Sequence, residues 1–161
     1  MADGTCNNLE IPSMGAAQTQ FIHSLKPSLP HPNGNADIPA IAKIMKRPHG
    51  DQDPDTFESF NQLASAWIQF NLHDWFQHSS TDGLFLRNIV THWWDASQIY
   101  GSSAEEEQAV RLEDGKIHLD DNDELDYESD GSPITGFGDN FWAGLHIFHT
   151  HFVREHNFCC Q

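Results

Sequence analysis

Laid out at 100° per residue, the stretch from Asp53 to Ser80 carries apolar side chains on nearly every side. Phe60, Leu63, Trp67, Ile68, Phe70, Leu72, Trp75 and Phe76 cover most of the circumference, while Gln62, Ser65, Gln69, His73 and Gln77 fall on one narrow stripe. The pattern predicts a single buried helix over 53–80 with a polar seam, because a helix apolar nearly all round belongs in a core. Asp53, Asp55 and Thr56 offer capping oxygens at its start, and Pro54 sits in the first turn, where a missing N–H costs little. An unpartnered buried amide or imidazole costs roughly 1–3 kcal/mol. The seam must therefore face a ligand, a cofactor edge with its waters, or polar groups of another helix.

The remaining pattern is more broken. Residues 1–52 read as an arm: Pro12, Pro27, Pro30, Pro32, Pro39 and Pro48 leave room for one short helix near Ile38–Met45. Ser79–Gly83 is a turn, and 84–103 mixes short apolar runs with Thr, Asp and Ser. Ser103 with Glu106 resembles a capping box opening a helix through Val110. GKIHLDDNDELDY reads as two short strands about an Asp-Asn-Asp turn, a small acidic β-hairpin, and GSPITGFGDN as a loop. A second helix follows from Phe141, with Asp139 or Asn140 as its cap, carrying Trp142, Leu145, Phe148, Phe152 and Val153. Few segments are available to cover that helix, and nothing after His156 reads as a stop. The expectation is a mainly α chain, an arm over 1–52 and a helical portion over 53–161, forming the front part of a larger fold.

Composition narrows the function classes. A net charge of −16 over 161 residues argues against nucleic-acid or anionic-membrane binding. Half of the 24 acidic residues lie between Glu105 and Asp130, without regular ligand spacing, which reads as a solvated insertion. Cys6, Cys159 and Cys160 cannot form a disulfide framework, and two are adjacent, a poor geometry for a bridge. The N-terminus lacks the basic and apolar regions of a secretory signal, and no run approaches 18 apolar residues. A reducing, cytoplasmic setting is compatible with this, and no more specific address is legible.

Two constellations carry chemistry. Thr91, Trp93, Asp95 and Ser97 alternate as an extended loop would to aim successive oxygens at one point, and Asp74 adds a second carboxylate. An all-oxygen set with two negative charges suits Ca²⁺. On spacing alone, a plainer account ranks first: Asp95 and Ser97 cap a turn before Tyr100-Gly101. His146, His149, His151 and His156 form only a partial metal face and read as scattered, exposed or packed histidines.

QFNLHDWFQH, THWWDASQIYGSSAEE, the DGK and DGSPITG spacings and WAGLHIFHTHFVREHN together resemble the animal-type heme peroxidase superfamily, from about Phe57 to Asn157. The resemblance is closest to the fatty-acid α-dioxygenase and related bacterial branch, and it implies the distal half of the peroxidase–cyclooxygenase fold. It places His73 as the distal histidine over heme b and Gln69 as the distal glutamine. It makes Asp74, Thr91, Trp93, Asp95 and Ser97 a calcium loop, reversing the capping account. The implied reaction is reduction of hydrogen peroxide or an organic hydroperoxide coupled to oxidation of an organic substrate, or α-oxygenation of a fatty acid. A calcium-binding fragment without catalysis is the rival. Leu72 stands where an esterifying aspartate would be, so heme is expected to bind non-covalently. No arginine lies between Arg111 and Arg154, so halide oxidation is not expected. The family's proximal histidine and radical tyrosine would fall downstream, in a C-terminal remainder.

Overall fold

The computed structural model describes residues 1–21, 38–45, 60–78 and 87–161. Met1–Phe21 with Gln62–Gln161 make one compact unit, and Ile22–Asn61 make a second. Within the second, α1 (Ile38–Met45) occupies the span expected of the arm's short helix. The first unit holds β1 (Thr19–Gln20), α2 (Gln62–His73), β2 (Arg87–Asn88), α3 (Ser97–Tyr100), α4 (Ala104–Val110) and α5 (Ala143–Cys159). The fold is helix-rich, with one two-stranded antiparallel sheet that pairs Thr19 with Asn88 and Gln20 with Arg87.

The helix expected over 53–80 ends at His73. The buried side chain of Asn88 ends it: Asn88 takes the Gln77 N–H at 2.7 Å and donates to the Trp75 carbonyl at 3.1 Å. Ile89 N–H then bonds to the Gln77 carbonyl and His78 bridges Asn88, so the helical bonds stop with the Trp75 and Phe76 N–H groups on the Leu72 carbonyl. The residues expected to cap the start, and the Ser79–Gly83 turn, lie outside the described residues.

Burial of α2 is also narrower than the pattern predicts. Ala66, Phe70 and His73 are buried, whereas Leu63, Trp67, Ile68, Leu72 and Trp75 are exposed. The buried residues of α2 are turned toward α5, α3 and Phe137. Gly144 permits the close approach, since a Cβ there would come 2.7 Å from the Ala66 methyl. Phe70 stacks on Phe152 with ring centroids 5.3 Å apart, and joins Ile99, Val110, Ile117, Leu145 and Val153 in the core.

At α4 the Ser103 hydroxyl accepts from Glu106 N–H at 3.1 Å as a cap should. The Glu106 carboxylate reaches one residue further back, to Ser102 N–H. The cap of α5 differs from expectation. Trp142 occupies that position without a side-chain capping bond. Asn140 takes a left-handed conformation and the Asp139 carboxylate is occupied by the Gln77 amide.

No strand pair forms in the acidic segment. Asp120 accepts the backbone N–H groups of Asn122 and Glu124, a side-chain turn that competes with a β ladder. Only single bridges, Arg111 with Ile117 and Tyr127 with Pro133, flank it. Arg154 on α5 clasps the turn through the Glu124 carboxylate and the Asp123 carbonyl.

Candidate functional site

The polar seam of α2 meets the segment that leads into α5. Gln69 accepts the Trp142 indole N–H at 2.8 Å, which fixes its amide orientation. Its nitrogen then faces the Asn140 carbonyl at 3.3 Å and His73 Nε2 at 3.4 Å. That contact makes Nε2 the accepting nitrogen and leaves the ring proton on Nδ1, which is buried without a partner among the described residues. Burial pushes the His73 pKa down to about 4, with the Asp139 carboxylate opposing weakly, so the ring is neutral at pH 7. Phe137 packs on it with centroids 4.1 Å apart.

Phe137 arrives through a loop that needs glycine. A Cβ on Gly136 would collide with the backbone at Gly101 N and Ser97 O, so only glycine lets this loop lie against α3. The same loop brings Thr135, whose hydroxyl donates to the Gln98 carbonyl at 3.0 Å and stands 2.7 Å from His149 Nδ1. With the hydroxyl proton committed, His149 Nδ1–H donates and Nε2 is left as a bare lone pair. His149 is fully buried, and desolvation, with smaller contributions from His73 and His146, pushes its pKa down to about 3. The unpartnered buried side-chain atoms among the described residues belong to His73, Gln98 and His149. His149, close enough to His73 for the two imidazoles to act on each other electrostatically, joins its surroundings, which the sequence reading missed. A signal existed: Leu145, His149 and Val153 recur every fourth residue, which places an imidazole on the apolar stripe of α5.

The five oxygen-bearing residues come together. Thr91 Oγ1 lies 3.0 and 3.1 Å from the two Asp95 carboxylate oxygens, 3.3 Å from the Trp93 carbonyl and 3.5 Å from Ser97 Oγ. Asp74 Oδ1 accepts from Ser97 N–H at 2.8 Å and Ser97 Oγ–H at 3.2 Å. Ala96, at φ 62°, turns the chain so that Asp95 and Ser97 face the same way. Two carboxylates and a carbonyl share only two hydroxyl protons and the N–H groups of Ser97 and Ala96, which leaves acceptor lone pairs over. Asp74 registers the imbalance: burial pushes its pKa up to about 6, Asp95 adds to the rise, and the Ser97 hydrogen bonds only partly offset it.

The C-terminal histidines do not converge. His146 lies 3.0 Å from Glu124 and 2.9 Å from the Tyr127 hydroxyl, His156 lies between Tyr100 and Gly115, and His151 is exposed. Among the described residues no three His, Cys, Asp or Glu side chains form a metal-binding group. Among the same residues no helix is long and apolar enough to cross a membrane.

The family model for animal haem peroxidase matches residues 1–89 and 85–161. The alpha-dioxygenase PIOX of Oryza sativa subsp. japonica is 29% identical over 197 aligned positions, covering 99% of this chain and 31% of that protein. Alpha-dioxygenase 1 of Capsicum annuum is 34% identical over 143 positions, covering 66% and 22%. The crystal structure of Arabidopsis thaliana fatty acid alpha-dioxygenase superposes with a TM-score of 0.82 at 27% identity, covering 99% of this chain and 31% of that one. A substituted Oryza sativa fatty acid alpha-dioxygenase with palmitic acid gives 0.81 at 28%, covering 99% and 32%. The chain spans about a third, or less, of the length of these relatives.

Proposed function

The chain belongs to the animal haem peroxidase family, and from that premise we propose that it supplies the distal side of a heme b-dependent fatty-acid dioxygenase. The observation that carries this reading is one side chain in its setting. His73 is buried and neutral, it follows Gln69 by one turn, and it directly precedes Asp74, which is tied to the oxygen loop.

These residues fit a distal heme face: a neutral imidazole and an amide, both with polar atoms on one side of α2. The axial protein ligand that heme iron needs is assigned to no residue of this chain. When bound, heme supplies the one-electron and dioxygen chemistry. With heme present, His73 Nε2 would take a proton from a hydroperoxide substrate and give it back to the departing oxygen, a role that needs the imidazole uncharged at the start. Gln69, held by Trp142 and Asn140, orients water or peroxide beside it. In this reading His73 and Gln69 carry the polarisation.

The oxygen loop of Asp74, Thr91, Trp93, Asp95 and Ser97 holds Ca²⁺ in this reading. A divalent ion answers the excess of lone pairs and stabilises the ionised form of Asp74. Through Asp74 it fixes the end of α2 and so the direction of the His73 ring. Fatty acid as substrate rests on the relatives named for that activity, and peroxidation of another organic reductant rests on the family description.

A chimera tests the proposal: residues 1–161 replace the aligned third of the Oryza sativa enzyme, and oxygen uptake is measured with palmitic acid. Uptake is expected, and His73→Ala is expected to lower it by about 10²–10⁴-fold, the usual scale for a lost general base. A heme-loaded chimera in which His73→Ala leaves uptake unchanged would overturn it.

A further inference from the structure

The oxygen loop is gripped by residues far ahead of it in the chain. β1 and β2 set the register by pairing Thr19 with Asn88. Four residues further along both strands Gly15 meets His92, and the Gly15 carbonyl accepts the His92 N–H at 2.8 Å. The neighbouring Met14 carbonyl accepts the Trp93 indole N–H at 3.1 Å. A trans peptide points its carbonyl away from its N–H, so the first bond turns the Thr91 carbonyl away from Gly15. The second bond anchors the side chain of Trp93, whose own carbonyl belongs to the oxygen set.

The fit is close at the two residues that carry those oxygens. Gly15 has φ +70°, and a Cβ there would come 2.8 Å from Trp93 Nε1. Gly4 has φ +76°, and a Cβ there would come 3.0 Å from Thr91 Cβ and Cγ2. The segment also holds its own shape. Asp3 carbonyl accepts Ala17 N–H and Pro12 carbonyl accepts Cys6 N–H, both at 2.8 Å, and Ala16 is buried. Residues 1–17 therefore bring Gly4 and Gly15 against Thr91 and Trp93 together, while none of the five oxygen-bearing residues lies among them.

We propose that residues 1–17 are a positioning element of the cation site, holding the Thr91 and Trp93 oxygens ready for Ca²⁺. This role rests on calcium binding by the oxygen loop and extends it to a segment that supplies no ligand. Oxygens already in place bind more tightly, because less ordering remains to be done on binding. Groups that hold metal ligands from behind commonly change affinity by about 10–100-fold. The coupling is reciprocal: calcium secures the segment by the same factor by which the segment strengthens calcium.

The test measures calcium affinity of the whole 161-residue chain by titration calorimetry, well below its Tm, where a loss of stability alone does not move the dissociation constant. Trp93→Phe keeps the backbone carbonyl, removes the indole N–H, and should weaken calcium about fivefold, the worth of one hydrogen bond. Gly15→Ala displaces the indole and should weaken calcium by at least about tenfold. Val153→Ala, a loss in the core on α5, should lower Tm and leave calcium affinity unchanged. Should the two loop variants fail to fold, hydrogen exchange on the unsubstituted chain decides. Calcium is expected to slow the Ala17 amide about fivefold or more and to leave the Glu124 amide as it was. Equal affinity in the unsubstituted chain and folded Trp93→Phe, or an Ala17 amide indifferent to bound calcium, overturns the role of residues 1–17 and leaves the cation site standing. An unsubstituted chain that binds no calcium overturns both.

Discussion

Asp74 and Asp120 both sit in oxygen-rich turns, yet their surroundings move their protons in opposite directions. Burial pushes Asp74 up to about 6. Asp120 is held below the usual carboxylate range by the backbone N–H groups of Glu124 and Asn122. The acidic segment around Asp120 has more carboxylates than the 91–97 loop, but Asp120 and Asp130 are capped by nearby backbone and Glu124 is paired with Arg154 and His146. The loop has two carboxylates and too few protons to satisfy them. The proposed calcium site rests on that local imbalance in a buried place, which the number of acids along the chain does not measure.

The largest break in this comparison should come from two glycines. Gly136→Ala drives a methyl into the backbone at Gly101 and Ser97, and should cost more than about 3 kcal/mol, the range of severe overpacking. Gly131→Ala, in the acidic region, meets open space and carries only its positive φ, so about 1 kcal/mol is expected. Urea denaturation of the two variants checks the contrast; equal losses would mean the 135–137 loop does not rest on α3.

Calcium comes next. Saturating calcium should raise Tm by about 5–10 °C, the result of roughly 2–3 kcal/mol of linkage in a chain of this size. Asp74→Asn should abolish the rise, Asp95→Ala should lower Tm chiefly when calcium is present, and Asp120→Asn should leave the response intact. A rise that survives Asp74→Asn, or a loss in Asp95→Ala that is as large in chelator, would return the loop to a capping role.

Acid stability follows from His149. Its folded pKa, about 3, lies below the ordinary 6.5, so the unfolded chain binds the extra proton between those values. Its contribution is complete above pH 6.5 and is lost as pH falls toward 3, with a slope approaching about 1.4 kcal/mol per pH unit. His149→Gln should flatten urea midpoints over that window. An unchanged slope would mean that the ring is charged or solvated. The smallest effect belongs to the solvated side. Arg154→Ala removes a half-exposed pair with Glu124 and should cost no more than about 1 kcal/mol by the same titration.

Much of this arrangement was legible from residue order. The alternation of Thr91, Trp93, Asp95 and Ser97 marked the loop, the i, i+4 relation marked Gln69 and His73, and the span of α1 followed from its place between prolines. The length of α2 was not legible. Its apolar pattern continues past His73, and only the buried amide of Asn88, eleven residues beyond Gln77, takes away the next helical bonds. The acidic hairpin failed for a local reason, since Asp120 offers the backbone a closer acceptor than a facing strand.

Residue order by itself determined the helical character of 62–73 and 143–159 and the one-turn spacing of Gln69 and His73, and it marked Thr91, Trp93, Asp95 and Ser97 as an oxygen-bearing segment. Those follow from periodicity and from side-chain chemistry, which need no partner to be read. Tertiary structure alone decided which of those groups are dry. It packed His149 near His73 and buried Asp74, while Asp120, in the open, is lowered by its own turn. Desolvation depends on what packs from distant parts of the chain, and spacing along the chain carries no record of it.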